Sequence, residues 1–262
     1  MSCSDYANGT AMNKGLDLHE QLVVVSGGNG ALGKTICSRL TELGATVVSV
    51  DVAKTQQLAG EGPALCYQAD VSDVAQIEAM LDSLGEQLGR LPSTVCCHAG
   101  IVSAHAILDL QLEDFDEVMR VNVRGAFVLA QATAKRWVRA GTRGHLIFTS
   151  SWVQDYPWPE IAAYCASKAA LHSLMRSFAK ELAPFGVRAN AVLPGIVDSG
   201  MARKQWDEDP SYRHRAEQVI ALGELQSTLS VADAFAFLCS PLASYMTGAT
   251  LRVDGGCSLG IV

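Results

Sequence analysis

The sequence predicts an α/β fold, a single doubly wound parallel sheet of about seven strands with helices on both faces. Three observations carry that expectation. Short β-branched runs recur along the chain and are apolar nearly throughout, as strands buried on both faces must be. Longer windows with helical periodicity lie between them. Strand–helix alternation of this kind joins neighbouring strands by crossovers and makes them parallel. The strands are expected at 22–25, 46–50, 64–67, 94–97, 145–149, 187–193 and 250–253, and the helices at 31–43, 73–88, 113–139, 161–183 and 230–239.

The elements have local signals of their own. Ser72-Asp73 is an N-cap pair before the second helix, and Ser230 with Asp233 three residues later suggests a capping box for the last. Residues 1–20 are polar and aperiodic and are expected as a flexible arm, without the apolar core of a signal peptide. The remainder, 21–262, has no repeat or linker and is expected to form one domain. Within it, 196–228 fits the alternation least and suggests a small helical lid.

Composition excludes several functions. The chain has 262 residues, is 49% hydrophobic and carries a net charge of −7. It is large enough to bury a core without staples. An acidic chain is a poor host for nucleic acid, which needs a positive field. No apolar run reaches the roughly 18 residues of a membrane span. The eight cysteines are scattered, with no CxxC pair, which suits a reduced, cytoplasmic protein and offers no zinc site.

The first strand runs into Ser26-Gly27-Gly28-Asn29-Gly30-Ala31-Leu32-Gly33, which opens the first helix. Gly28, Gly30 and Gly33 spell GxGxxG in the strand–turn–helix setting that a dinucleotide site requires. Glycines let the backbone approach a pyrophosphate, and the helix N-terminus offers free N–H groups to it. Asp51 closes the second strand, 18 residues after Gly33. A carboxylate there accepts from both adenosine ribose hydroxyls and repels a 2′-phosphate, so NAD is preferred over NADP. Asp70, after the third strand, is placed either for the adenine edge or to cap the next helix.

A second group of residues points to proton transfer. Tyr164 and Lys168 are four apart in a helical window and share a face. An ammonium beside a phenol favours the phenolate and makes it a usable acid/base. Ser150-Ser151 ends the fifth strand, on the edge of the sheet where open α/β folds bind ligands. Asn122 sits in the apolar stretch Val121-Asn122-Val123, where a buried amide must find partners.

With these pieces in order, the chain resembles the short-chain dehydrogenase/reductase family, in its single-domain branch of about this length. The resemblance covers 22–256 and also includes Asp70-Val71, Cys97-His98-Ala99-Gly100, Pro194-Gly195 and Val253-Asp254-Gly255-Gly256. It implies a Rossmann-like fold in which Tyr164 is the acid/base. It further implies that Lys168 lowers the Tyr164 pKa and binds the nicotinamide ribose, that Ser151 bonds the substrate oxygen, and that Asn122 holds a relay water. Gly27, Asn29, Gly30, Ala31, Leu32 and Gly33 would face the pyrophosphate. Asp51, Asp70, Val71, His98, Ala99 and Gly100 would line the adenosine half. Pro194, Gly195, Val197 and Ser199 would pass around the nicotinamide. Two departures stand out: Ala31 where the branch has glycine, and Cys97-His98 where it has two asparagines. His98 reads as a loop-packing or cofactor-edge residue.

Substrate contacts are expected from Ser151, Trp152, Gln154, Trp158 and Tyr164, with Glu160 a further candidate and His105 and Trp206 weaker ones. Aromatic faces beside amides and carboxylates suit hydroxyl-rich molecules. Together with the resemblance to polyol-oxidising members, this makes a sugar or polyol dehydrogenase the first reading. A 3-oxoacyl-thioester or hydroxysteroid reductase is the alternative; against the former, an acidic carrier suits a −7 chain poorly and Phe185 stands where a basic docking residue is expected. An NAD-sensing or scaffolding module is the non-enzyme alternative, and the full Asn122, Ser151, Tyr164 and Lys168 set argues against it. Apolar excess on 113–139 and 161–183, with the family's habit, predicts a homotetramer, or failing that a dimer.

Overall fold

The computed structural model describes residues 16–54 and 63–259. Its seven strands are β1 (Leu22–Ser26), β2 (Thr46–Asp51), β3 (Leu65–Gln68), β4 (Thr94–Cys97), β5 (Gly144–Thr149), β6 (Val187–Pro194) and β7 (Thr250–Val253). They form one all-parallel sheet in the order β3-β2-β1-β4-β5-β6-β7. The order reverses between β1 and β4, which opens a crevice at their carboxyl ends.

Both faces of the sheet are covered, and period-two side chains serve the two layers in turn. On one face Val23, Val25 and Val47 pack with Ile36 and Leu40 of α1 (Ala31–Glu42) and with Phe235 of α8 (Thr228–Cys239). On the other, Val24 and Val48 pack with α2 (Val74–Leu88), α4 (Ala126–Ala140) and α5 (Ala162–Leu182), around Trp137, Phe148 and Met175. This two-sided burial is the reason the strand sequences are apolar without alternation.

Local chemistry sets the helix ends. Asp73, not Asp70, caps α2, accepting from the N–H groups of Ala75 and Gln76 at 2.9 and 3.1 Å. The last helix starts two residues earlier than expected, because Ser227 accepts from Ser230 N at 3.1 Å. Asp233 does not close a capping box; it pairs instead with Arg39 on α1 at 2.7 Å. The window 113–139 is not one helix. It divides into α3 (Leu112–Met119), a π-helical turn (Arg120–Gly125) and α4.

Within the stretch expected as an arm, Leu18 is fully buried and its N–H bonds Leu43 O at 2.9 Å; residues 1–15 lie outside the described residues. The stretch 196–228 holds α6 (Gly200–Glu208) and α7 (Pro210–Val219). Its two ends are pinned together by Gln226 N to Ile196 O at 2.9 Å and Asp198 N to Gln226 O at 2.7 Å. Tyr212, Ala216 and Val219 of α7 form a third apolar cluster with Trp152, Val153 and Cys257. Among the described residues no helix is long and apolar enough to cross a membrane.

Candidate active site

Tyr164 and Lys168 lie one turn apart near the start of α5, and the Lys168 ammonium stands 5.2 Å from the centre of the Tyr164 ring. Lys168 is only 3% exposed and donates to Thr149 O at 2.7 Å. Burial lowers its pKa to about 8. Burial also pushes the Tyr164 phenol up to about 12, against the opposing effect of a hydrogen bond with Ser151. The phenol is thus raised by burial, where the sequence reading expected it lowered by Lys168, and it keeps its proton at neutral pH.

Asn122 sits in the π-helical turn and is fully buried. Its Oδ1 accepts from Ile101 N at 2.8 Å, and its Nδ2 donates to Ile101 O at 2.9 Å and Ser167 Oγ at 3.0 Å. The amide thus ties the turn to the loop after β4 and to α5. A Cβ placed on Gly100 would lie 3.2 Å from Asn122 Oδ1 and 3.6 Å from Lys168 Nζ, so both polar atoms face one small region. A π-turn inside a helix is frequent at functional sites.

A cleft of about 440 Å³ runs over the carboxyl ends of β1, β2 and β4. Gly27, Gly30, Ala31, Leu32 and Gly33 line it, with Asp51, Asp70, Val71, His98, Ala99, Gly100 and Ser199. Gly27 has a φ of +72°, and a Cβ there would stand 2.8 Å from Ala99 Cα; a Cβ on Gly33 would stand 2.1 Å from Gly27 O. The turn thus closes only with glycine at both positions. Gly30 caps α1 without a side-chain hydrogen bond, leaving first-turn N–H groups for an anion. This cradle fits a dinucleotide pyrophosphate. Asp51 accepts from Asn29 N and from Ala53 N, each at 3.0 Å, and so shapes the turn that it faces.

His98 is tied down on three sides. Its N–H bonds Ser26 Oγ at 3.0 Å, its Nδ1 lies 3.0 Å from Thr149 Oγ1, and its ring meets Phe235 edge-on at 5.9 Å. Burial, and secondarily Lys168, lower its pKa to about 4, so the imidazole is neutral.

A second cavity of about 290 Å³ shares Gly100, Ile101 and Ser199 with the cleft and continues to Ser151 and Tyr164. Gly195 and Val197 line it as well. Its wall is aromatic: Trp152 meets Trp158 at 5.5 Å and Trp158 meets Tyr212 at 5.9 Å, both edge-on. Gln154 does not line this cavity, although it was expected there. Its Oε1 accepts from Ser150 Oγ at 2.7 Å, which turns it away. His105 and Trp206 also stay outside. His105 bridges to Ile161, and Trp206 carries Arg213 over its ring at 5.2 Å.

Glu160, a pocket candidate from the sequence, lines the cavity with a φ of +67° and accepts from His105 N on its backbone oxygen. The sequence reading missed two lining groups, Arg120 and Glu117. Arg120 and Glu117 line the dinucleotide cleft and bond each other at 2.6 and 2.7 Å. A Glu and an Arg at i and i+3 were legible as a helical pair, but not as part of a site.

The family model described as Enoyl-(Acyl carrier protein) reductase matches residues 28–258. The (3R)-3-hydroxyacyl-CoA dehydrogenase of Canis lupus familiaris is 32% identical over 255 residues, 92% of this chain and 97% of that protein. Among solved structures, a gluconate 5-dehydrogenase from Burkholderia cenocepacia in complex with NADP and tartrate superposes with a TM-score of 0.88 at 25% identity, covering 95% of this chain and 100% of that one. A 3-ketoacyl-(acyl-carrier-protein) reductase from Brucella melitensis, complexed with NADH, gives 0.80 at 29% identity, covering 91% and 98%. The chain belongs to the short-chain dehydrogenase/reductase family. It is an oxidoreductase of that family, of the kind that interconverts secondary alcohols and ketones.

Proposed function

We propose that the protein interconverts a secondary alcohol and a ketone with NAD, on a small uncharged hydroxylated molecule of the sugar or polyol class. The observation that carries this is Ser151 and Tyr164, with Lys168 beside the phenol ring, in the cavity that shares Gly100, Ile101 and Ser199 with the dinucleotide cleft. The glycine turn would hold the pyrophosphate and the 195–199 segment the nicotinamide, which when bound would supply the hydride acceptor or donor.

Tyr164 gives its proton to the carbonyl oxygen in reduction, and its raised pKa keeps that proton available. Ser151 bonds the same oxygen and steadies the charge that develops on it. Lys168 and Asn122 Oδ1 face one spot beside Gly100, where a water restores the proton. In the oxidising direction the phenol must first lose its proton by that route, so oxidation rises with pH.

The cofactor preference follows from charge. The cleft beside Asp51 is lined by three carboxylates, Asp51, Asp70 and Glu117, and one guanidinium, Arg120. Arg120 spends four of its five donors on Glu117, Asp70 and Ser72. A 2′-phosphate would meet excess negative charge and, among the described lining residues, one cation already paired to carboxylates. The substrate class follows from the second cavity. Among the described residues no lysine, arginine or histidine lines it, and Glu160 does, which disfavours carboxylates and acyl thioesters built on anionic carriers. Trp152 and Trp158 offer flat faces, while Glu160, Gln205 and Ser199 offer polar atoms. We place α6 and α7 over this cavity as its lid.

The chain assembles in this reading as a homotetramer through α4 and α5. Phe127, Val138 and Phe185 remain exposed there around a groove of about 510 Å³. Seven cysteines are free among the described residues, which fits a cytoplasmic setting.

The test is fluorescence titration with NADH and NADPH, then a panel of polyols, aldoses, acyl thioesters and steroids. Tight NADH binding, weak NADPH binding and turnover of a polyol are expected, and Asp51→Ala should narrow the gap between the cofactors. NADPH preference, or turnover confined to thioesters, would refute the reading. Dinucleotide binding with no turnover of any alcohol would favour the sensing module.

A further inference from the structure

Arg120 opens the π-helical turn at the end of the cleft that holds Asp51 and Asp70. Its guanidinium is clamped from two sides. Nε donates to Glu117 Oε2 at 2.6 Å and Nη2 to Glu117 Oε1 at 2.7 Å, a fork-to-fork pair, and Nη1 donates to Asp70 Oδ2 at 2.7 Å and to Ser72 Oγ. All of these bonds lie in the guanidinium plane, because its N–H donors do. They fix the plane and leave its two faces unused. No aromatic ring lies over it among the described residues, where the cation–ring pairs are Lys168 with Tyr164 and Arg213 with Trp206. The side chain is still 37% exposed, and it lines the cleft.

With four of its five N–H groups taken and its surface exposed to the cleft, this cation has little left to offer a phosphate. It serves as a platform for a flat π-system. The geometry points to Arg120 as the adenine platform of this enzyme: the purine stacks on the guanidinium, and the Glu117 and Asp70 clamp holds the plane ready. This rests on the dinucleotide reading and adds to it a residue that recognises the base by its face. The clamp is pre-organised, so stacking freezes little further side-chain freedom on binding. Asp70, with Oδ1 taken by Ser72 N–H and Oγ–H at 2.8 Å each and Oδ2 by Arg120, acts here as a holder of the platform.

The probes are adenosine, inosine, ribose and nicotinamide mononucleotide, each competed against NADH on the full chain. Adenosine carries no charge, so its loss cannot be blamed on the carboxylates left uncompensated when Arg120 is removed. Arg120→Met should weaken adenosine about 5- to 30-fold, the range of a cation–π contact that becomes partly desolvated. Nicotinamide mononucleotide should be unaffected. Arg120→Lys should not rescue, because the charge returns without the plane.

On the wild-type protein, inosine should compete within about threefold of adenosine, since stacking ignores the exocyclic amine, and ribose should not compete. Equal adenosine affinity in Arg120→Met and wild type would overturn the platform while leaving NADH binding intact. Failure of inosine alone would overturn it in favour of edge recognition. Parallel loss of nicotinamide mononucleotide would overturn it in favour of a general structural role. Absence of NADH binding in the wild type would bring down the dinucleotide reading first.

Discussion

Lys168→Met separates what the lysine does for catalysis from what it does to the fold. The ammonium is 3% exposed, it has no carboxylate partner among the described residues, and burial brings its pKa from 10.5 to about 8. Such a group is charged in both states below its folded pKa and neutral in both above its unfolded one. Below about pH 8 the folded state therefore carries a penalty of roughly 3 kcal/mol, and above about pH 10.5 it carries none. The sign follows: the unfolded chain binds more protons between those limits, so stability rises with pH there. Going from about pH 7.5 to about pH 10, the wild type should gain about 2 kcal/mol over Lys168→Met.

Urea unfolding of both proteins, with cofactor absent, measures that difference. Comparing them cancels the cysteines and Tyr164, which titrate in both. Methionine fills the space of the lysine stem but leaves Thr149 O unbonded, which costs the variant about 1–3 kcal/mol at every pH and does not alter the slope. Turnover should fall by roughly 10²–10⁴-fold in the same variant. A flat difference between the two proteins across this pH range would refute the burial argument. Full activity in the methionine variant would refute the role of the ammonium.

Two further outcomes are expected. Tyr164→Phe should lose roughly 10²–10⁴-fold in turnover while binding NADH nearly as well, and wild-type oxidation should rise through the alkaline range because burial holds the phenol pKa up to about 12; a pH-independent oxidation rate would contradict this. Gly27→Ala combines a φ of +72° with a Cβ 2.8 Å from Ala99 Cα, so NADH affinity should drop at least tenfold and thermal stability should fall; unchanged titrations would mean the turn tolerates a side chain.

The strands and the glycine turn were legible because their signals are local. Valines 23, 24 and 25 announce burial on both faces, and glycine is the residue type that a left-handed φ beside Ala99 demands. The π-helical turn was not legible, since one extra residue in a helix barely disturbs an apolar pattern; only Asn122 in that apolar setting hinted at it. Gln154 was misplaced because closeness to Ser151 in sequence says nothing about direction, and the Ser150 hydroxyl turns it away. The Arg120 clamp was hidden for another reason. Asp70 lies fifty residues before Arg120, so only the fold brings the two together.

The residues that matter most for function are those where local rules are broken. Lys168 is buried without a counter-ion among the described residues. Asn122 occupies an apolar layer. Glu160, not a glycine, holds a φ of +67°, and His98 fills a hydrophobic slot against Phe235. Each costs stability that a plain structural replacement would not. Three of them converge: Lys168 bonds the Thr149 carbonyl, His98 meets the Thr149 hydroxyl, and Asn122 Oδ1 faces Lys168 across the Gly100 position. A scaffold without turnover has no use for a desolvated ammonium beside a desolvated phenol. Proton transfer does, because burial drives two groups of similar ordinary pKa apart, leaving a neutralisable amine near 8 beside a proton-holding phenol near 12. The convergence of such costs around one residue, Thr149 at the carboxyl end of β5, is the argument that this edge was shaped by chemistry and not by folding alone.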